Sequence, residues 1–304
     1  MRKLSVALAS VLLYGGLRVH WQLGHMPQRL SPIGPDLVVL TGWGAVALCG
    51  AAAATLAVMM TVRPSAPART ALAAVAWAVG GAFVVSGALL LLDVVGTVVP
   101  GSGIPVYPLG AASKAACVGC GVLVWRAARA YRPVELGKLD HTPLWAYAGA
   151  YAAVGGFLAR AAAQVAVGFG STPFAGGTAV FETGLLLGGT VLPLALVHRW
   201  GRVWPRWVPG LAGRSVPRRL VLWPGVAVSG GLLAYFGVGL GQMVAERLSG
   251  RVPFGGGGLP EAFYWVAVPA YLVWGAGLAV AAATYARRTR DLYGSTPSRP
   301  VSVS

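Results

Sequence analysis

Two pairs of an arginine and a glutamine within apolar sequence are the first candidates for chemistry. The spacing R-x-x-x-Q occurs at Arg18 and Gln22, and again at Arg160 and Gln164. Residues four apart lie on one face of a helix, so each pair forms a polar stripe. A charge within an apolar helix is costly and usually faces a cavity or a partner. The planar fork of an arginine suits the binding of an anion.

Three further ionisable residues, Asp93, Lys114 and Glu182, are expected at a similar depth in the membrane. Five ionisable groups in one layer predict an outward-facing polar pocket between two halves of the chain. Such a pocket would bind or transport a small anionic solute or a lipid headgroup. The predicted ligand-binding residues are Arg18, Gln22, Asp93, Lys114, Arg160, Gln164 and Glu182.

An alternative interpretation gives the same charges a structural purpose. The two arginines would then extend to the outer headgroups, or pair with Asp93 and Glu182 in a structural or accessory membrane subunit without a pocket. A membrane-embedded enzyme is the third possibility.

The composition places these residues in a membrane protein. The chain has 304 residues, of which 56% are hydrophobic and 11% charged, too few polar groups to cover a soluble globule. A net charge of +16 would suit nucleic acid in a soluble protein. Here the basic residues lie between apolar runs, as the positive-inside rule requires, so the expected partner is the lipid bilayer and not nucleic acid.

Eight apolar segments are long enough to cross a bilayer as helices. They cover about 4–23, 37–62, 70–93, 109–128, 144–168, 180–199, 220–244 and 263–286. Most basic residues lie at the N-terminus, around 63–69, 126–138 and 199–219, and after 287, whereas the opposite loops hold only Arg29, Arg247 and Arg251. Both termini are therefore expected in the cytoplasm. The first segment resembles a signal peptide but lacks a small-residue cleavage site, so we expect a retained helix.

The repeated spacing extends beyond the arginines. Arg160 lies 142 positions after Arg18, and Val228-Ser229-Gly230 in the seventh segment matches Val85-Ser86-Gly87 in the third at a shift of 143. The sequence therefore predicts an all-α, polytopic membrane protein with eight transmembrane helices as two parallel four-helix repeats. The predicted domains are 1–132, a cytoplasmic linker 133–143, the second repeat 144–290, and a disordered cytoplasmic tail 291–304. Chance similarity between apolar helices is the alternative.

The end of the first segment carries a family resemblance. The stretch Arg18-Val19-His20-Trp21-Gln22-Leu23-Gly24 resembles an uncharacterised family of small bacterial four-helix integral membrane proteins, a domain of unknown function, here duplicated. In that family a basic residue followed by W-x-x-G ends the first helix, and histidine is more common where Arg18 stands. The resemblance implies no activity. An excess of Arg over Lys is typical of GC-rich bacteria, so we expect the bacterial cytoplasmic (inner) membrane.

Cysteine spacing raises a redox alternative. Cys117-x-x-Cys120 resembles the motif of vitamin K epoxide reductase-like enzymes, which carry it within a four-helix bundle. Those enzymes need a second cysteine pair in a loop, and Cys49 is the remaining cysteine here. Small neighbouring residues favour close helix packing as the reason for the motif.

Other enzyme classes lack their motifs. Eight helices as four plus four also resemble haem A synthase, but the histidines do not form a facing pair in mid-membrane. They are His20, His25, His141 and His198. The sequence has no zinc motif, nucleophile elbow or P-loop. We therefore expect no catalytic residue, no metal and no cofactor. The absence of these motifs argues against known enzyme classes but not against all enzymes, so a membrane-embedded enzyme stays the third possibility.

The loop 199–219 mixes tryptophan with arginine. Tryptophan prefers the membrane interface and clustered arginine attracts anionic lipid. We expect an interfacial segment on the inner leaflet that contacts anionic lipids at the cytoplasmic face, interrupted by proline. An orientation signal with ordinary interface aromatics is the alternative. The predicted lipid-contacting residues are Trp200, Arg202, Trp204, Arg206 and Trp207.

Overall fold

A computed structural model describes residues 2–32, 34–62, 65–98, 104–133, 137, 139–168, 178–256 and 259–289, with the backbone alone at 178–181 and 255–256. Within these residues the regular secondary structure is helical and there is no strand, which confirms the predicted all-α class. A single isolated β-bridge joins Val203 and Ser215.

Ten α-helices follow one another within the described residues. They are α1 (Arg2–His20), α2 (Trp43–Thr61), α3 (Ala66–Ser86), α4 (Leu90–Val98), α5 (Pro108–Tyr131), α6 (Leu144–Val167), α7 (Thr178–Leu186), α8 (Leu192–Val197), α9 (Arg218–Leu248) and α10 (Glu261–Arg288). Seven of the described helical stretches are long and apolar enough to cross a membrane: α1 with its terminal turn, α2, α3, α5, α6, α9 and α10. Proline occupies the first turn of α3 and of α5, where its missing N–H costs nothing.

The predicted sixth segment, 180–199, has no long uninterrupted α-helix. Its helical run is divided into α7, a π turn at Leu187–Val191 and α8. The apolar helix Glu182–Val197 is shorter than the other seven, so the predicted count of eight is not confirmed. Gly189 lies in the π turn, where a Cβ would overlap the ring of Phe157.

Two other predicted segments have different bounds. The second helix begins at Trp43 instead of near residue 37, after Gly42 adopts φ 54°. The third ends at Ser86, and a turn separates it from α4. The carbonyl of Ser86, at the end of α3, accepts a hydrogen bond from the backbone N–H of Val38 at 3.1 Å, which replaces one of the helical hydrogen bonds lost at the break.

The chain divides into two compact units. Unit 1 consists mainly of Met1–Glu135, with Gly237–Ala245 among two short later segments. Within it, α1 contacts α2 and α5, and α3 contacts the same two helices. Helices α3 and α5 pack so closely that a Cβ on Gly121 of α5 would lie 2.6 Å from the carbonyl oxygen of Gly80 on α3.

Unit 2 contains most of the remaining chain, including α6, α8 and α10. These three helices contact one another. A Cβ on Gly277 of α10 would overlap the carbonyl oxygen of Gly149 on α6, so glycine allows the two backbones to approach closely. Trp274 and Leu278 of α10 lie in the buried core beside Phe157 of α6.

Candidate functional site

Arg18 of unit 1 is buried and paired with an acidic residue. Its side chain and that of Asp36 are each 1% exposed, and Arg18 Nη1 donates to Asp36 Oδ2 at 2.5 Å. Asp36 lies in the connection between α1 and α2, which folds back against the helices. The pair neutralises both charges where water does not reach them, which a buried charge requires.

Neighbouring side chains complete the surroundings of this pair. Ser113 Oγ of α5 donates to Asp36 Oδ2 at 2.6 Å and lies 3.3 Å from the hydroxyl of Tyr14. The Arg18 guanidinium lies 5.3 Å from the ring centroid of Trp21. Arg18 Nε and Asp36 Oδ1 are buried without a hydrogen-bond partner. The site is therefore neutral and enclosed, and it is incompletely hydrogen-bonded.

A second buried ion pair lies in the same unit. Lys114 Nζ of α5 is 2.7 Å from Asp93 Oδ2 of α4, and both residues are buried. The distance is that of an ion pair, but the ammonium and both carboxylate oxygens lack a hydrogen bond of acceptable geometry. The two charges still stabilise each other, because the attraction between them does not depend on the hydrogen-bond angle. Lys114 follows Ser113 directly, so one turn of α5 contributes a side chain to the Arg18–Asp36 site and another to the Lys114–Asp93 pair.

Arg160 of unit 2 is surrounded by hydrogen-bond acceptors. Its Nη1 lies 3.0 and 2.8 Å from the two carboxylate oxygens of Glu182, and its Nε donates to the Tyr271 hydroxyl at 2.8 Å. Its Nη2 makes a longer contact of 3.5 Å with Gln164 Oε1. The side chain of Arg160 is 5% exposed and that of Glu182 is 24% exposed. This site is thus fully hydrogen-bonded but open on the side of its acid.

Two contacts fix the partners of Arg160 in place. Gln164 Nε2 donates at 3.0 Å to the carbonyl of Gly168, the residue that ends α6 with φ 80°. The Tyr271 ring stacks on Phe236 with their centroids 3.9 Å apart. The guanidinium is therefore held by groups from α6, α7 and α10.

The five predicted ionisable residues belong to three separate ion pairs. Lys114 and Asp93 lie together, as do Arg160 and Glu182, but the alternative pairing of Arg18 with Asp93 is not the one present. Asp36 takes that place. Sequence reasoning missed Asp36 because it follows proline in a connecting segment. The signal that could have identified it is the rarity of acids, since the whole chain has only 8.

Gln22 does not behave as the counterpart of Gln164. It lies in the π turn Trp21–His25 that extends α1, and its Oε1 is near Gly42. Within the described residues no hydrogen bond joins it to Arg18. A π turn has more residues per turn than an α-helix, so positions four apart no longer share a face.

The cysteines contact backbone in the interior of unit 1. Cys49, Cys117 and Cys120 are all buried and unbridged. Cys117 Sγ donates weakly to the Phe83 carbonyl at 3.3 Å and Cys120 Sγ to the Ser10 carbonyl at 3.6 Å. These contacts fit the packing interpretation of the motif.

The loop after α8 forms a small hairpin. The N–H of Trp204 donates to the Arg214 carbonyl at 2.9 Å, and the N–H of Val216 to the Arg202 carbonyl at 2.8 Å. Trp204 is partly buried against the core of unit 2, whereas Trp207 is 81% exposed. The other predicted lipid-contacting residues are Trp200 and Arg206, which are exposed, and Arg202, which is half-buried.

Comparison with known proteins found no match: no protein-family model, no curated protein and no solved structure is similar to the chain. The resemblance between residues 18–24 and a family of four-helix membrane proteins therefore stays a prediction.

Proposed function

We propose that this chain is a structural or accessory subunit of a membrane assembly, in which buried ion pairs hold the helices together. The observation that supports this proposal most is the pairing of every cation of the predicted pocket with its own acid. Arg18, Lys114 and Arg160 each lie within 3 Å of a carboxylate oxygen. A cation whose charge is neutralised in this way attracts an external anion only weakly.

The energetics of buried charge support the same proposal. Removing one member of a buried pair leaves an uncompensated charge and costs about 3–5 kcal/mol. An anionic solute that displaced Asp36 from Arg18 would expose the protein to a similar cost. The neutral pairs are thus more stable partners for one another than a weakly bound solute would be.

The proposed arrangement keeps eight crossings, two parallel four-helix repeats and both termini in the cytoplasm of a bacterial inner membrane. It is supported by the concentration of basic residues in alternate loops. It is also supported by the helical run of α7, the π turn and α8, with 9, 5 and 6 residues, which approaches the roughly 20 that a span needs. A reporter fused after Ser304 is expected to report from the cytoplasm. Activity from the outer side would contradict the even number of crossings.

One observation favours a second candidate function, the binding of a small anion. Glu182 is 24% exposed, so the Arg160 site is accessible from the side of its acid. An anion that replaced the Glu182 carboxylate there would meet a guanidinium in a region of weak screening. Arg160 rather than Arg18 is the residue that this candidate requires.

The two candidates differ in how anions affect stability. We suggest measuring the melting temperature of the full-length protein in detergent with inorganic phosphate, sulfate and acetate. The parent is compared with a double variant, Arg160→Gln with Glu182→Gln, which is neutral and keeps hydrogen-bonding groups. A structural subunit is expected to show the same anion response in both proteins. A response that the parent shows and the double variant loses would overturn the structural proposal.

A further inference from the structure

One end of unit 2 brings a helix terminus against the loop that follows α8. The carbonyl of Val197, the last residue of α8, accepts a hydrogen bond from Arg288 Nη1 at 3.2 Å. The hydroxyl of Tyr285 donates to the Gly201 carbonyl at 3.1 Å. These bonds join the end of α10 to the start of the hairpin loop. They hold Arg288 close to Arg202, which follows Gly201.

A neighbouring arginine reinforces this end of the unit. Arg218, the first residue of α9, donates from Nε to Thr289 Oγ1 at 2.9 Å and from Nη2 to the Ala286 carbonyl at 3.0 Å. Both ends of the loop are therefore attached to α10. Trp204 and Val216 of the loop pack against the core of unit 2, and this favours a preformed site.

Arg202 and Arg288 differ from the arginines in the ion pairs. Arg288 is only 7% exposed and Arg202 is half-buried. Arg202 directly follows Gly201, whose carbonyl is bonded to Tyr285 one turn before Arg288, so the two positive charges lie close enough to repel. The Nε of each is buried without a hydrogen-bond partner. Across the part of the chain that the structure describes, no ion pair joins either residue to a carboxylate. Two adjacent cations in a region of low dielectric constant require a counter-ion.

We propose that Arg202 and Arg288 bind a phosphate group. A phosphate offers several strong acceptor oxygens, and a guanidinium presents paired donors that match them. An anion between the two side chains would supply partners for both Nε atoms and cancel the repulsion. The group is either the phosphodiester of an anionic phospholipid or free inorganic phosphate. Trp207, exposed on the same loop, favours the lipid because tryptophan prefers the membrane interface.

The competing explanation is that these arginines only orient the protein in the membrane. Arginines that serve this purpose extend their head groups into water or among lipid headgroups. Arg206 and Arg214 of the same loop are exposed and fit that description. Arg288 does not, because its side chain is enclosed by protein.

The test is a binding experiment on the full-length protein purified in phosphate-free detergent buffer. Its melting temperature is measured against inorganic phosphate, and separately against short-chain phosphatidylglycerol and phosphatidylcholine of equal chain length. The principal variant is Arg202→Gln, because within the described residues the Arg202 side chain makes no hydrogen bond whose loss would prevent folding. Arg214→Gln removes the same charge from an exposed position of the same loop and is the matched control.

The parent is expected to show a saturable rise in melting temperature. Arg202→Gln should weaken the apparent affinity at least about tenfold, because charge-assisted hydrogen bonds are lost. Arg202→Lys should give an intermediate affinity, and Arg214→Gln should match the parent. A response to inorganic phosphate identifies the free anion, and a response confined to phosphatidylglycerol identifies the lipid headgroup. The proposal is overturned if the parent responds to neither, or if Arg202→Gln and Arg214→Gln weaken binding equally.

Discussion

The Arg18 site of unit 1 and the Arg160 site of unit 2 occupy the same position of the predicted repeat, yet they are built differently. Arg18 receives its acid from a connecting segment, in a place where both side chains are 1% exposed. Arg160 receives its acid from helix α7, and that acid is 24% exposed. A repeated arginine therefore does not determine the position of its partner, which depends on how each unit folds its next segment.

The more enclosed of the two sites, that of Arg18, is the less completely hydrogen-bonded. All three guanidinium nitrogens of Arg160 have an acceptor, whereas Nε of Arg18 has none. The enclosed site thus depends more on the attraction between its two charges, and the open site on a network. This contrast predicts different responses to mutation.

The largest expected difference comes from removing each arginine. Arg18→Ala should lower the free energy of unfolding by about 3–5 kcal/mol, because Asp36 is left as an isolated buried charge. Arg160→Ala should cost less, about 1–3 kcal/mol, because Glu182 can be solvated through its exposed side. Melting temperature and folded yield in detergent measure both. Adding Asp36→Asn to Arg18→Ala should restore most of the loss, and equal losses for the two single variants would remove the contrast between the sites.

Replacing each of the two glutamines is expected to give a smaller difference in stability. Gln164→Ala should cost about 1 kcal/mol, because its amide joins Arg160 to the carbonyl that ends α6. Gln22→Ala should change stability by less than about 0.5 kcal/mol, as for a residue away from a hydrogen-bond network. Denaturation of the two variants side by side gives the comparison. A loss for Gln22→Ala as large as that for Gln164→Ala would mean that the π turn does not separate Gln22 from Arg18.

Much of the helical architecture was predictable because apolar length is a strong signal. Pro108, Pro143 and Pro260 lie at or just before the starts of α5, α6 and α10, and the predicted bounds there are within two residues of the observed ones. The break after Ser86 was not predictable. Its compensation comes from the backbone of Val38, a contact between distant parts of the chain that no local pattern reports.

The cations of the candidate site were predictable from the sequence, but the acid that pairs with each cation was only partly predictable. Arg18, Lys114 and Arg160 stand out because charge within an apolar segment is rare. Asp36 does not stand out, since a connecting segment is normally exposed and its folding against α1 is a tertiary effect. The burial of Arg288 without a carboxylate partner was also not predictable, because an arginine at the end of a helix usually reaches water.

The spacing of the ion pairs along the chain bears on the biogenesis of the protein. Arg18 and Asp36 are 18 residues apart, and Arg160 and Glu182 are 22 apart. Asp93 and Lys114 lie on the consecutive helices α4 and α5. Each cation thus meets its acid on a neighbouring segment of the nascent chain. Since an unmatched arginine in a helix costs roughly 2.5–3.5 kcal/mol at insertion, an acid on the neighbouring segment would lower the cost of inserting each charged helix, before the rest of the chain has been translated.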